Sequence, residues 1–285
     1  MKFIAKIILS LVSIIAVVAI AVLGVYLYVR SSFGIDIFRT VGQLNTLNER
    51  VDESILCPNA FSDSDMQGVM SEVNGSVENL ITYSEQDGYS VTLENISSTM
   101  GSDIKLSDKQ VGALMQTIIN QVTSDGISVG GKSMPIELKQ VKFSELSQGK
   151  VNVNCVVKLD VTPFKAEMKE FPFNYLSKYV PDNLYLSSSV TVVKGGEAFA
   201  YTTENAVLSA NNLSVSDTQD LFHTLDVVLK IGSASDMSEK LSTTLIGTLI
   251  GSQSQTGFAY SLKPIGATDY EFISVSDQIY FTVKK

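Results

Sequence analysis

Residues Ile7 to Val29 form an unbroken run that is apolar except for Gly24 and the hydroxyls of Ser10 and Ser13. At 1.5 Å rise per residue, a helix of this length crosses a hydrocarbon layer of roughly 30 Å. Such a segment leaves water, so the rest of the chain must fold beside a bilayer. Lys2 and Lys6 precede it, and Tyr26, Tyr28 and Arg30 close it with interfacial residue types. The run reads as an uncleaved signal anchor. The alternative is a cleavable signal peptide with Ile7 to Val18 as its core and Ala19-Ile20-Ala21 as a small-residue site. The apolar stretch continues past that site to Val29, which argues for the anchor. Lys2 and Lys6 nearly balance Arg30 and Arg39 under the positive-inside rule, and the short tail favours an inside amino end. The expected organisation is a cytoplasmic tail over 1–6, a transmembrane anchor over 7–29, a juxtamembrane helical segment over 30–86 and an extracytoplasmic α+β domain over 87–285.

Charge narrows the partners. The first thirty residues contain three bases and no acid, so the remainder holds 18 bases against 30 acids, a net charge of −12. An acidic surface repels nucleic-acid phosphates and anionic headgroups, which excludes nucleic acid as a charge-bound partner. Contact with the membrane is expected through the amino-terminal helix instead. One histidine and two distant cysteines cannot supply a tetrahedral metal site, so neither metal nor cofactor is expected. Cys57 and Cys155 would close a long loop if oxidised, worth roughly 4 to 5 kcal/mol by chain entropy. Two unpaired thiols, with Cys155 a small core residue, is the equal alternative. Asn74-Gly75-Ser76, Asn95-Ile96-Ser97 and Asn212-Leu213-Ser214 fit the glycosylation pattern.

Ile37, Val41, Leu44, Leu47, Val51 and Ile55 recur at helical spacing, and a second helix is expected from Ser62 or Ser64 through Val77. Ser107-Asp108-Lys109-Gln110 reads as a capping box before the stripe Val111, Leu114, Met115, Ile118, Ile119 and Val122. Ser216-Asp217-Thr218-Gln219 repeats the device before Leu221, Phe222, Leu225 and Val228, and a third helix is expected after Asp236. From Val151 to Val161 apolar and polar residues alternate with period two, as a strand with one buried face requires. Hairpins are expected about Gly195-Gly196 and about Ser276-Asp277-Gln278. Long antiparallel strands interrupted by helices indicate α+β, a curved antiparallel sheet with amphipathic helices packed on it.

Three motifs suggest enzymes. Gly126 to Ser133 satisfies the P-loop spacing, but that mechanism needs a strand before the loop and a helix after it, and here a helix precedes. Gly126-Ile127-Ser128-Val129-Gly130 matches a nucleophile elbow, with His223 the sole histidine available as base and Asp182 or Asp217 as its orienter. A serine hydrolase using Ser128 is therefore one function class to carry forward. Ser147-Gln148-Gly149-Lys150 matches a serine–lysine spacing within a turn.

Helices laid against a curved sheet can leave a long apolar cleft between them. Leu114, Met115, Ile118, Leu221, Phe222 and Leu225 are the residues that would line it. The segment Leu106 to Ile118, the strand Lys150 to Val161 and the ending Val275-Ser276-Asp277-Gln278-Ile279-Tyr280-Phe281-Thr282-Val283 follow a short tail and one anchor. In that order they resemble the YpmS-like proteins of Gram-positive bacteria and, more distantly, the tubular lipid-binding domains. The resemblance implies a cell-envelope location and a helix-on-sheet fold rather than a reaction. The expected function is a membrane-anchored, non-enzymatic protein that binds lipid or another hydrophobic ligand. The alternative is an envelope scaffold or assembly partner.

Overall fold

The computed structural model describes residues 37–122, 127–129, 132–165, 181–229, 234–253 and 256–285. The tail and anchor expected over 1–29 lie outside them. No helix among the described residues is long and apolar enough to cross a membrane. The fold is α+β, with antiparallel sheets and helices.

In chain order the elements are α1 (Ile37–Asn48), α2 (Glu53–Leu56), α3 (Asp63–Ser76), the hairpin β1 (Ile81–Ser84) and β2 (Gly88–Val91), and β3 (Ile104–Ser107). Then come α4 (Asp108–Val122), β4 (Ile127–Val129), β5 (Lys132–Met134), β6 (Ile136–Ser147), β7 (Lys150–Asp160), α5 (Thr162–Lys165), β8 (Asn183–Lys194) and β9 (Tyr201–Ala210). The chain ends with α6 (Val215–Leu229), α7 (Ala234–Leu249), α8 (Phe258–Ser261), β10 (Asp269–Val275) and β11 (Gln278–Lys284).

Strands β6-β7-β8-β9 form a four-stranded antiparallel meander. Its register follows the period-two pattern of β7, in which Val151, Val153, Cys155, Val157 and Leu159 are buried while Asn152, Asn154 and Lys158 are only partly so. Helix α4 lies against β6, and α6 and α7 lie against β9. Leu44 and Leu47 of α1 and Met66, Val69 and Val73 of α3 join the same buried cluster as the sheet. A second sheet, β10-β11-β3, brings Phe272 to within 5.2 Å of Phe143 of β6, ring to ring.

Local chemistry sets most boundaries. Ser107 and Gln110 form the expected reciprocal cap, Gln110 N donating to Ser107 Oγ at 3.3 Å and Ser107 N to Gln110 Oε1 at 2.8 Å. Ser62 caps α3 with Asp65 in the same way. The α6 cap sits two residues before the expected one, because Asp217 N donates to Ser214 Oγ at 3.0 Å rather than bonding Ser216. Helix α7 likewise begins at Ala234, ahead of Asp236.

Two expectations fail for identifiable reasons. The apolar stripe from Ile37 to Ile55 does not form one helix. Helix α1 ends at Asn48, Leu44 and Leu47 are buried, and Ile55 is 77% exposed. The β8–β9 connection is not a two-residue glycine turn. Gly195 N donates to Ala200 O at 2.8 Å, Phe199 takes the left-handed conformation at φ 61°, and neither glycine does. Gly195 serves close approach instead, since a Cβ there would lie 2.6 Å from that of Ala200. Two-residue turns occur elsewhere, one of them between β10 and β11, where Ser276 and Asp277 both have positive φ, as a type I′ turn requires.

Candidate functional site

The six side chains expected to line an apolar cleft lie at the helix–sheet junction. Leu114, Met115, Ile118, Leu221 and Phe222 are between 0% and 6% exposed and belong to the main core. The Leu225 side chain lies outside the described residues. The junction is sealed further by polar contacts, with the buried Ser188 Oγ of β8 2.8 Å from both Ser238 Oγ and Ser242 Oγ of α7. Five of the six expected ligand contacts are thus buried within the main core.

The best-formed site among the described residues is on the opposite face of the sheet. There Val156 is the apolar exception on the polar side of β7, and it is 1% exposed because the chain from Val51 to Ala60 crosses over it. Cys57 packs on Val156 and Tyr185, with Val51 and Leu56 beside them. This strap is fastened at both ends. At its start, Asn211 Nδ2 bonds Leu47 O and Asn212 Nδ2 bonds Glu49 O at 3.2 Å, so two asparagines after β9 satisfy carbonyls that the end of α1 leaves open. At its far end, Asn59 N donates to Gln140 Oε1 at 2.8 Å and Asn59 Nδ2 to Val141 O at 2.9 Å.

Between these ties Glu53 meets a charged group on the sheet. The Tyr185 hydroxyl donates to Glu53 Oε1. Lys139 Nζ lies 3.2 Å from Glu53 Oε2 and 3.1 Å from Glu137 Oε2, and Lys158 Nζ lies 3.6 Å from Glu53 Oε1. A β-bulge makes the arrangement possible. The β6–β7 register slips between Leu138 and Gln140, so Lys139 is an extra residue beside the outward-facing Glu137. The Tyr185 bond is the main influence holding the Glu53 carboxyl below its ordinary range, against the opposing effect of burial. Burial pushes the Tyr185 phenol upward, and the facing carboxylate adds to it. Tyrosine is therefore the donor and glutamate the anion. Beside this pair opens a cleft of about 930 Å³, lined by Arg50, Asp52, Glu53, Lys158, Asp182 and Tyr185 among others. It has the size of a ligand pocket, but its walls are polar and mixed in sign.

The thiols are unpaired and buried. Cys155 faces the core and Cys57 faces the outer side of the same sheet, so β7 itself separates them. Burial pushes Cys57 up to about 11, with Glu53 adding to it, and pushes Cys155 up to about 12. Neither is a ready nucleophile at neutral pH.

The motif residues sit in a different setting from the one their chemistry needs. Ile127–Val129 and Lys132–Met134 pair antiparallel with Ser128 opposite Ser133, so the described part of the motif is strand, where helix α4 precedes it in the chain. A P-loop and a nucleophile elbow both require strand, turn, then helix. His223 is exposed on α6. No group of three or more potential metal ligands occurs among the described residues.

The strap site escaped the period-based reading because its parts are far apart in sequence, Glu53 and Tyr185 by 132 residues. Val156 was the available signal, an apolar residue on the face that alternation assigns to solvent. Comparison of the chain with family models, curated proteins and solved structures gives no match in any of the three.

Proposed function

We propose that this protein is a membrane-tethered extracytoplasmic scaffold, an assembly partner that offers surfaces to other envelope components. The observation that carries this reading is the burial of the helix–sheet junction. Leu114, Leu221 and Phe222 are essentially without exposure and pack as core, where a lipid carrier needs a void for an acyl chain. The anchor over 7–29 supplies the tether, and the polar outer face of the meander, crossed by the strap, supplies a rigid presenting surface. Native mass spectrometry of a soluble form beginning at Ile37, with its cooperative unfolding checked first, tests the proposal. The bare polypeptide mass is expected. A co-purified lipid or fatty acid that survives delipidation would overturn the scaffold in favour of a carrier.

A further inference from the structure

A second groove, on the far side of α4, carries its own chemistry. Its volume is about 400 Å³, and it lies between the start of α3, the β1–β2 hairpin and α4. Phe61, Met66, Tyr89 and Ala113 give it an apolar floor, and Asp63, Asp87 and Asn120 stand among its rim. Phe61 is held in place because a Cβ at Gly112 would lie 2.5 Å from its ring, so the ring rests directly on the α4 backbone. The floor extends outward. Ile81 pairs with Val91 and Tyr83 with Tyr89 on one face of the hairpin. The first pair is buried, while Tyr83 is 57% exposed with its ring 4.8 Å from that of Tyr89.

The polar groups divide into wall and rim. Gln121 is committed to Val91 N and Ser90 Oγ, and Gln116 to Leu138 N and Asn120 Oδ1. The Asp63 carboxylate makes no hydrogen bond or ion pair among the described residues, and the Asp87 carboxylate accepts only a 3.3 Å bond from Ser84 Oγ. Neither lysine nor arginine lines the groove. Aromatic faces attract cations through their quadrupole, and a carboxylate on either side adds Coulomb attraction of the same sign. Anions are repelled.

We propose that this groove docks a basic peptide segment, with a lysine ammonium between Asp63 and Asp87 and the lysine stem lying on Phe61 and Tyr89. The site stands whether or not the scaffold reading does, since lipid retention and peptide binding are read separately. The chain has no tryptophan, so a tryptophan-bearing probe reports on itself. The peptide acetyl-GKWKKG-amide is titrated with the full chain in an uncharged polyoxyethylene detergent, following emission anisotropy. Saturable binding that weakens with added salt is expected. Affinity should fall about threefold to tenfold in Asp63→Asn/Asp87→Asn and in Tyr89→Leu, and stay unchanged in Glu197→Gln, an exposed acid elsewhere. If Tyr89→Leu does not fold, the two surface aspartates carry the test. Absence of saturable binding overturns the proposal, as does an equal loss per charge removed in Glu197→Gln. Binding of tetra-N-acetylchitotetraose without binding of the peptide also overturns it, and marks a glycan site.

Discussion

Glu53 is tied to three groups on a sheet that it reaches only by the strap, so its substitution tests the strap as a unit. Tyr185→Phe removes the donor but leaves Lys139 and Lys158 in place, and because Glu53 is partly exposed the expected loss is about 1 kcal/mol by chemical denaturation. The same variant should speed maleimide labelling of Cys57, which wild type protects by burial. The pH dependence has a definite sign. The Glu53 carboxyl is lower in the folded than in the unfolded chain, so its stabilisation is present above the ordinary glutamate range and is lost as pH falls from there through the lowered folded-state value. Tyr185 is raised on folding, so its contribution is present at neutral pH and fades as pH climbs past the ordinary tyrosine value of about 10. Denaturation midpoints of Glu53→Gln between pH 3 and 7 should therefore converge on those of wild type at the acid end. Parallel curves would remove Glu53 from the account.

Among the elements, α7 is fixed on the sheet by hydroxyls as well as by apolar contact. Ser188→Ala leaves the Ser242 hydroxyl buried without its partner and should cost about 1 to 3 kcal/mol. Replacing Ser188, Ser238 and Ser242 together by alanine should cost less than the three single changes summed, because the hydroxyls stabilise one another. Thermal unfolding of the single and triple variants checks both. Leu114→Ala, at 0% exposure under α4, should cost about 2 to 5 kcal/mol, a loss that a ligand-lining residue of a carrier would not show. Elements whose patterning is local were legible in the sequence, including β7, the α4 stripe and the Ser107 cap. What lay beyond reach depended on distant partners or on one-residue choices. Ser214 rather than Ser216 caps α6, the strap departs from a helical stripe at Asn48, and a bulge at Lys139 turns Gln140, which strict alternation from Leu138 would send into the core, toward the strap. The six expected groove residues all lie on helices, α4 and α6. Periodicity cannot tell a lined void from a filled one, because both bury the same face.

At the scale of the molecule, β7 divides the two thiols, so no covalent bridge contributes to stability. Unfolding midpoints with and without a reducing agent should coincide, and mass spectrometry after alkylation under denaturing, non-reducing conditions should find two modified thiols. The asparagine ties carry a further consequence. Leu47 is held by Asn211, a partner 164 residues downstream, and the strap's floor is built from β7 and β8. A polypeptide made from its amino end presents α1 and the strap long before the strands that receive them, so these earliest segments are the last to be secured. Until Asn211 and Asn212 follow, the end of α1 lacks the amides that tie it down, and until β7 and β8 form, Cys57 stays open to chaperones, proteases and oxidants.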